Sequence, residues 1–182
     1  MLHKKNLIIF CCLFISIQSF SQIEVTHVKL KDFKAFGFGA FLNFAIPVSD
    51  ANYATIEGGL QYFQNADNED LGLAPVLLGY RYTFDHSGTG FYIEPNAGYC
   101  FGASSIQKYD QFGSPIPDGN GGWQNEKVAG PVTGVGLGYL FQPGGKIQFN
   151  VALRYQHTFG NASTDLFAFR ISHAFTFGRR NE

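Results

Sequence analysis

The feature of this 182-residue chain that most constrains its fold is a repeated alternation of large apolar residues with small or polar ones. In GYRYTF, Tyr80, Tyr82 and Phe84 share one face of a strand, because successive side chains of a strand point to opposite faces. Gly79 and Arg81 lie on the other face. The 20 Phe and 9 Tyr favour strands, and no segment after the leader has a long helical period. The sequence therefore predicts an all-β protein.

Seven segments carry this alternation clearly. They are Ala35–Ile46, Tyr53–Phe63, Leu73–Phe84, Phe91–Ala103, Ala129–Phe141, Lys146–His157 and Leu166–Phe177. An up-and-down barrel whose last strand ends on the short-turn side needs an even number of strands. An eighth strand is therefore predicted around Ile23–Leu30, although its alternation is poor.

The connections between these strands differ in length. PVSDAN, DHSGTG and QPGG are tight, whereas QNADNEDLG and Ser104–Lys127 are longer. Short turns on one rim and longer loops on the other are typical of outer-membrane barrels. Ser104–Lys127 is rich in Gly, Pro, Asp and Asn, so we expect it to be surface-exposed and mobile.

The apolar face is predicted to lie outside. The interior of an eight-stranded barrel is just wide enough to be filled by side chains, and the apolar face carries too many aromatic and aliphatic residues to fit there. An apolar exterior implies lipid around the barrel, where only a closed barrel satisfies the backbone of every strand. The alternative, a secreted sandwich or lipocalin-like ligand carrier, would place the apolar face inside.

The first residues have the layout of a secretory signal peptide. A basic start is followed by the apolar run Leu7–Ile17 and by small residues at Ser19 and Ser21. Cleavage after Ser21 is predicted, which makes residues 1–21 the signal peptide and residues 22–182 one barrel domain. The mature chain then keeps one cysteine, Cys100, and has no intramolecular disulfide. A net charge of −1 argues against a nucleic-acid partner.

The motifs GYRYTF, GFYIEPNAGYCFG and FAFRISHAFTF resemble the small outer-membrane β-barrel proteins of Gram-negative bacteria, including the group called outer membrane protein beta-barrel domain. The resemblance implies an outer-membrane location and an eight-stranded transmembrane barrel, but no particular reaction. It also implies that the barrel-assembly machinery recognises the aromatic end of the last strand. The matching residues are Phe167, Phe169, Ile171, Phe175 and Phe177, although His173 interrupts the row and GRRNE follows it.

Five charged residues fall on the predicted inner face. They are Glu57, Arg81, Glu94, Arg154 and Arg170. If the turn DHSGTG pairs Phe84 with Phe91, Arg81 lies directly opposite Glu94, and Glu57 is expected diagonally near Arg81. These charges are predicted to plug a narrow lumen, so we expect a structural or interaction role through surface loops rather than a pore.

Aromatic residues gather near the short-turn rim on the outer face, as an interfacial girdle does. They are Tyr82, Phe84, Phe91, Tyr139, Phe141, Phe149, Phe175 and Phe177. The single tryptophan, Trp123, lies in the long connection, where packing at the membrane interface and contact with a partner are both open.

A lipid-modifying hydrolase or acyltransferase embedded in the barrel is the alternative function. It needs a nucleophile, a base and an orienting acid. His157 and His173 lie on the apolar face of neighbouring strands, and hydroxyls are present at Thr158, Ser163 and Ser172, with Asp165 at the rim. We expect neutral histidines without a catalytic role.

No cofactor and no metal site are predicted. The acidic segment around Asp67, Glu69 and Asp70 lacks the spacing of an EF-hand loop, so a solvated loop is expected. The expected partners are outer-membrane lipid and, during biogenesis, the assembly machinery. A monomer is expected, and the sequence does not identify a surface partner.

Overall fold

The computed structural model describes residues 18 to 85, 89 to 142, 148 to 160 and 162 to 176. Eight antiparallel strands close into one barrel in the order of the chain, with β1 paired to both β2 and β8. The strands are β1 (Gln18–Leu30), β2 (Phe33–Pro47), β3 (Asn52–Gln64), β4 (Asp70–Thr83), β5 (Gly90–Ser104), β6 (Gly130–Phe141), β7 (Phe149–Thr158) and β8 (Thr164–Thr176). The predicted all-β, up-and-down, eight-stranded barrel is confirmed.

The first strand was predicted too short. β1 begins at Gln18, and its residues pair with β2 and β8 along their whole length. Its alternation is poor in the sequence because both faces carry polar side chains: Glu24 and Thr26 point inward, whereas His27 and Lys29 point outward. The predicted cleavage after Ser21 falls inside this strand, and the leader before residue 18 lies outside the described residues.

The predicted difference in length between the two rims is wrong for most connections. β1 and β2 are joined by two residues, and β3–β4 and β7–β8 by five each, compared with four, six and seven residues in the three connections on the opposite rim. Only the connection between β5 and β6, residues 105 to 129, is long. We call its side of the barrel the loop rim and the opposite side the turn rim.

The strands are strongly staggered. A path around the barrel through directly paired residues returns to β1 ten residues from where it started. That path runs through Val28, Leu166, Gln156, Gly134, Asn96, Gly79, Thr55, Ala45 and Gln18. Such a stagger tilts strands by roughly 35–45° to the barrel axis. Side chains that are distant in the ladder therefore meet across the interior.

The outer face of the barrel is apolar around its circumference. Large hydrophobic residues are exposed at alternate positions of every strand, as the sequence predicts, which rules out the arrangement of a lipocalin-like carrier. They include Ile23, Val25, Phe36, Phe38, Leu42, Ile56, Leu60, Val76, Leu78, Phe91, Phe101, Leu137, Leu153, Phe167 and Ile171. In the described part of the chain, no helix is long and apolar enough to cross a membrane.

Inward glycines make room for a few large rings in the interior. The Phe41 ring lies against Gly59, where an added Cβ would overlap it, and against Gly39. The Tyr92 ring lies against Gly138, whose Cβ would come within 2.6 Å of it. The glycines of the inner face are therefore required by volume, since eight strands enclose little space.

The interior is not polar throughout, contrary to the prediction of a polar lumen. At the loop rim it holds an apolar cluster that includes Leu30, Phe63, Leu71, Ile106 and Val128. Two of these residues, Ile106 and Val128, come from the long connection, which folds back over the barrel mouth. This end is apolar because the connection covers it and excludes water, which separate strand patterns do not reveal.

Candidate functional site

The inward residues of β1 mark four layers along the barrel axis. Phe20 lies in an aromatic layer near the turn rim, and Gln22 lies in a polar layer next to it. Glu24 belongs to a central charged layer, and Leu30 belongs to the apolar cluster at the loop rim, which we call the apolar cap. All four side chains are almost fully buried. The candidate site is therefore the charged interior between two water-excluding ends.

Arg81 and Glu94 form an ion pair near the turn rim. The pairing of Thr83 with Tyr92 and of Gly79 with Asn96 places Arg81 opposite Glu94, and Arg81 Nε donates to Glu94 Oε2 at 2.6 Å. The guanidinium also lies over the ring of Tyr92, with 4.7 Å from Cζ to the ring centroid. Arg81 is thus satisfied by one carboxylate and by aromatic faces.

Glu57 does not lie near Arg81, so that part of the prediction is wrong. The β3–β4 register places Tyr53 opposite Arg81 and Glu57 opposite Leu77, four residues farther along the strand. The side chain next to the Arg81–Glu94 pair on β3 is Thr55, whose hydroxyl donates to Glu94 Oε1 at 3.2 Å.

Glu57 belongs instead to a central cluster of four charges with Glu24, Arg154 and Arg170. Arg154 donates to Glu57 Oε1, and its Nη2 donates to Glu24 Oε2 at 2.8 Å. Arg170 donates to the same two carboxylates, at 2.5 Å to Glu57 Oε2 and 3.1 Å to Glu24 Oε2. Each arginine therefore bridges both carboxylates.

Glu24 was missed from the sequence because β1 has polar residues on both faces. Glu24 is the Cα partner of Arg170 across β1 and β8, and both lie on the inward face. Counting alternate positions along β1 could therefore have identified Glu24 as an interior charge. Gln61 donates to Glu24 Oε1 at 2.5 Å, and Asn43 donates to Glu57 Oε2 at 3.1 Å. The Phe41 ring lies under both guanidiniums of the cluster, 4.6 and 5.0 Å from their Cζ atoms.

The charges inside the strands balance in the described part of the chain. Three glutamates face three arginines, and all six side chains are buried. Burial makes an unpaired charge very costly, whereas paired and hydrogen-bonded charges are tolerated. This arrangement locks six side chains in place across the barrel. It supplies no open coordination position and no exposed nucleophile.

The predicted aromatic girdle lies on the outer face of β4 to β7 near the turn rim. Phe91 contacts Tyr139 at 4.8 Å between ring centroids, and Tyr139 contacts Phe141 at 4.4 Å. Tyr82 contacts Phe84 at 5.2 Å. Phe149 is the Cα partner of Phe141, and its ring lies 5.2 Å from that of His173. The Phe175 side chain and Phe177 lie outside the described residues.

The residues of the predicted assembly signal follow the same outward face of β8. Phe167, Phe169 and Ile171 are exposed. His173 continues the row toward the turn rim, beside Phe149. Recognition by the assembly machinery stays a prediction.

The two histidines considered for catalysis, His157 and His173, lie at opposite ends of the barrel. His157 pairs with Asp165 at the loop rim, whereas His173 pairs with Phe149, eight residues away on β7, which corresponds to about 27 Å. His157 Nδ1 lies 2.8 Å from Asp165 Oδ1, and the Tyr155 hydroxyl donates to the same oxygen at 2.7 Å. One site cannot contain both histidines.

The hydroxyls considered beside these histidines do not complete a catalytic site. Thr158 and Ser172 point into the barrel, away from the outer face that carries both rings. Ser163 is exposed at the loop rim. Within the described ranges, no group of three or more His, Cys, Asp or Glu side chains is placed to hold a metal ion.

The long connection, predicted to be surface-exposed and mobile, contains a regular set of backbone hydrogen bonds. Its mobility stays a prediction. Its three segments, 106–110, 114–118 and 122–126, bond pairwise to one another in a ring. Ile116 N donates to Lys108 O, Gln124 N to Ile116 O, and Lys108 N to Gln124 O, at 2.8 to 3.0 Å. We call this unit the loop module.

The two turns of the loop module have the same design. Asp110 Oδ1 accepts from the N–H groups of Phe112 and Ser114, and Asp118 Oδ1 accepts from those of Asn120 and Gly122. Aspartate favours such turns because its side chain replaces a backbone acceptor. These bonds, led by that from Asn120, lower the pKa of Asp118. The turns hold the tip of the module in a defined shape.

The base of the loop module is anchored to the barrel. Lys31, in the two-residue β1–β2 turn, forms an ion pair with the buried Glu126. The Ser104 hydroxyl donates to the Glu126 carbonyl at 2.7 Å, and Ile106 enters the apolar cap. Three aromatic side chains of the module are exposed, and Phe112 is the most exposed of them, at 83%. The others are Tyr109 and Trp123.

The barrel is similar to solved structures of outer-membrane proteins. Neisserial surface protein A (NspA) superposes with a TM-score of 0.65 at 13% identity, covering 89% of this chain and 97% of that protein. Ail, the attachment invasion locus protein of Yersinia pestis, superposes with a TM-score of 0.55 at 14% identity, covering 88% and 99%. The chain has the fold of the small eight-stranded outer-membrane barrels.

No family model and no curated protein sequence matches this chain. The resemblance inferred from the motifs is therefore confirmed as a common fold, with identities too low to carry a function. The superposition covers nearly the whole of both outer-membrane barrels. The barrel of this chain is therefore similar to theirs in extent.

Proposed function

We propose that this protein resides in the outer membrane as a closed barrel that displays the loop module at the cell surface. The observation that carries the proposal is the apolar outer face, which surrounds a closed barrel without a free strand edge. Such a surface is stable only when lipid covers it. Because side chains fill the interior, the fold suits display and mechanical support rather than transport.

Fractionation tests the location. The native protein is expected in the outer-membrane fraction, to resist a carbonate wash and to dissolve only with detergent. It should also migrate faster on gels before boiling than after, because a folded barrel is compact. Recovery in the soluble periplasmic or secreted fraction would contradict the proposal.

The loop module supports an interaction with a surface partner recognised by aromatic contacts. Tyr109, Phe112 and Trp123 are exposed together on one hydrogen-bonded unit that is anchored at its base. Exposed aromatic residues on a rigid support bind at low entropic cost.

The charge of the module argues against a polyanionic partner. One structure of Ail contains the heparin analogue sucrose octasulfate. The connection here carries Lys108 and Lys127 against Asp110, Asp118 and Glu126, so its net charge is negative. A surface of this charge repels sulfated chains. We therefore infer a neutral glycan or a protein as the partner class.

Binding arrays test this role. The protein in lipid nanodiscs is applied to arrays of neutral glycans, sulfated glycans and extracellular proteins. A specific signal should be lost in the double variant Phe112→Ser/Trp123→Ser and kept in Phe159→Ser, which removes an exposed aromatic from another connection on the same rim. Signal on sulfated glycans alone, or equal loss in both variants, would contradict the proposed recognition.

The hydrolase remains the second candidate because His157 and Asp165 are 2.8 Å apart, as a base and its orienting acid would be. It requires a nucleophile on the outer face beside His157. The expected result is that His157→Ala leaves the lipid A and phospholipid composition of the membrane unchanged. An altered composition that wild type restores and His157→Ala does not would favour the enzyme.

A further inference from the structure

The tip of the loop module, residues 118–122, has the sequence DGNGG. Asn120 is the only asparagine of the chain that is followed by glycine, and its side chain is exposed. A side-chain amide is an electrophile, and the main-chain nitrogen of the next residue can attack it, because the ring that closes is small and unstrained. Glycine places no side chain in the way. The tip therefore carries both groups that deamidation, the loss of the amide nitrogen as ammonia, requires.

The hydrogen bonds of the turn leave the main-chain nitrogen of Gly121 free. Asp118 Oδ1 accepts from Asn120 N at 2.7 Å and from Gly122 N at 2.9 Å, so the amides on both sides of Gly121 are engaged. Among the described residues, Gly121 N donates no hydrogen bond to a protein acceptor. This N–H can therefore lose its proton to a base in solution, and the nitrogen anion that results is the nucleophile of deamidation.

Gly121 also lies in open space. Its φ is +89°, and a Cβ built on it would meet no atom within 4 Å. Glycine adopts such a φ without steric cost. Water and base therefore reach the Gly121 nitrogen and the Asn120 amide.

The Asp118–Gly119 step in the same turn can close the same ring, but the structure protects it. The Asp118 carboxylate accepts two N–H groups, and these bonds, led by that from Asn120, lower the pKa of Asp118. A carboxylate that stays deprotonated is a poor electrophile. In the described part of the chain, the Asn120 side chain has no hydrogen bond that would hold it in place. The Asn120–Gly121 step is therefore the reactive one.

We propose that Asn120 deamidates spontaneously in the folded protein. Gly121 N attacks Asn120 Cγ and forms an N–Cγ bond, while the Cγ–Nδ2 bond breaks and Nδ2 leaves as ammonia, with the proton of the Gly121 amide. Water then adds to either carbonyl carbon of the cyclic imide and opens it to aspartate or isoaspartate. Both products replace a neutral amide by a carboxylate, so the loop module becomes more negative.

Isoaspartate also lengthens the main chain within the turn by one carbon atom. The turn is closed by the bond from Asp118 N to Gly122 O at 3.0 Å, and Pro117 and Trp123 pair directly beyond it. An added main-chain atom between these partners disrupts their pairing and moves Trp123. The chain has a single tryptophan, so its fluorescence reports this change. The inference requires the folded loop module and does not depend on a surface partner.

The test uses the full mature barrel, refolded in detergent and incubated at neutral pH and physiological temperature. Peptide mass spectrometry follows the mass gained when the amide becomes a carboxyl group, and chromatography separates aspartate from isoaspartate. Asn120 should lose most of its amide while Asn125 keeps its own. Asn125 is an exposed asparagine of the same module, but Glu126 follows it, and Glu126 N donates to Ile106 O at 2.8 Å. Equal loss at both positions, or an intact Asn120, would overturn the proposal.

The effect on the turn is tested with Asn120→Gln. This variant keeps an amide, but its longer side chain closes a larger ring much more slowly. The emission of Trp123 should shift with the conversion of Asn120 in wild type and stay constant in Asn120→Gln over the same time. An equal shift in both proteins would show that the tip changes without deamidation. Conversion to isoaspartate without a shift would overturn the predicted disruption of the turn.

Discussion

Arg81 illustrates how the barrel tolerates charge in a space without bulk water. Its guanidinium has one carboxylate partner, Glu94, and two aromatic neighbours, Phe20 and Tyr92. The central arginines each contact two carboxylates instead. A buried ion pair adds little net stability over apolar packing, but removing one partner leaves a buried charge uncompensated.

The Arg81–Glu94 pair should therefore show strong coupling. Arg81→Met and Glu94→Gln are each expected to lower the free energy of unfolding by about 3–5 kcal/mol. The double variant should lose clearly less than the sum, since neither charge is then left alone. Urea unfolding of the refolded barrel in detergent measures all four proteins. Additive losses would show that the pair does not act as a unit.

The alternation of inward and outward side chains explains which of these ion pairs the sequence could predict. Arg81 and Glu94 flank one short connection, so a single assumed register placed them opposite each other, and the structure has that register. The contacts of Glu57 with Arg154 and Arg170 cross the lumen between strands that are not neighbours. Such contacts depend on the stagger of the whole barrel, which no single hairpin determines.

Two adjacent glycines of β3 lie on opposite faces of the strand and have different surroundings. Gly59 points into the barrel against the Phe41 ring, whereas a Cβ at Gly58 would meet no atom within 4 Å. The same substitution at the two positions therefore has opposite consequences. Packing, rather than backbone conformation, distinguishes them.

Gly59→Ala is expected to destabilise the barrel by about 1–3 kcal/mol, because the methyl group overlaps a ring that inward neighbours hold in place. Gly58→Ala is the control and should be neutral or slightly stabilising, since alanine reduces the entropy of the unfolded chain. Both are measured by urea unfolding. Equal losses at the two positions would contradict the inward packing of Phe41.

The sequence predicted a strand wherever one face of that strand is apolar. It did not predict where a strand begins when both faces carry polar residues, as in β1. The strands from β2 to β8 were recognised from alternation, and parity required β1. The aromatic rows predicted the outer face of the barrel correctly. The loop module escaped prediction because its order comes from backbone and aspartate hydrogen bonds, which leave no hydrophobic period.

For the whole molecule, the apolar cap and the charged layers close the barrel along its axis. Ile106 and Val128 of the long connection complete the cap, so buried apolar side chains close the loop-rim end of the interior. The loop module is thereby part of the seal as well as of the surface.

No porin-like conductance is expected from the pure monomer. Planar-bilayer recordings of wild type should show no stable, large channel, because side chains fill the lumen of an eight-stranded barrel. Glu24→Gln should not create one, since it removes charge without removing volume. Sustained large conductance of wild type would contradict the filled interior.

The orientation of the barrel is testable with single cysteines. Phe112→Cys in the loop module should react with a membrane-impermeant maleimide on intact cells. Asp50→Cys, at an exposed position of the β2–β3 turn, should react only after the envelope is opened. The native Cys100 is buried and gives little background. The reverse pattern would invert the proposed topology.

The equal number of interior glutamates and arginines has an electrical consequence. A voltage across a membrane does work on a charge of about 2.3 kcal/mol per 100 mV when that charge crosses the whole field. Three positive and three negative groups that are held in contact with one another carry no net charge through it. An applied voltage therefore has no net charge inside the strands by which to drive the barrel open.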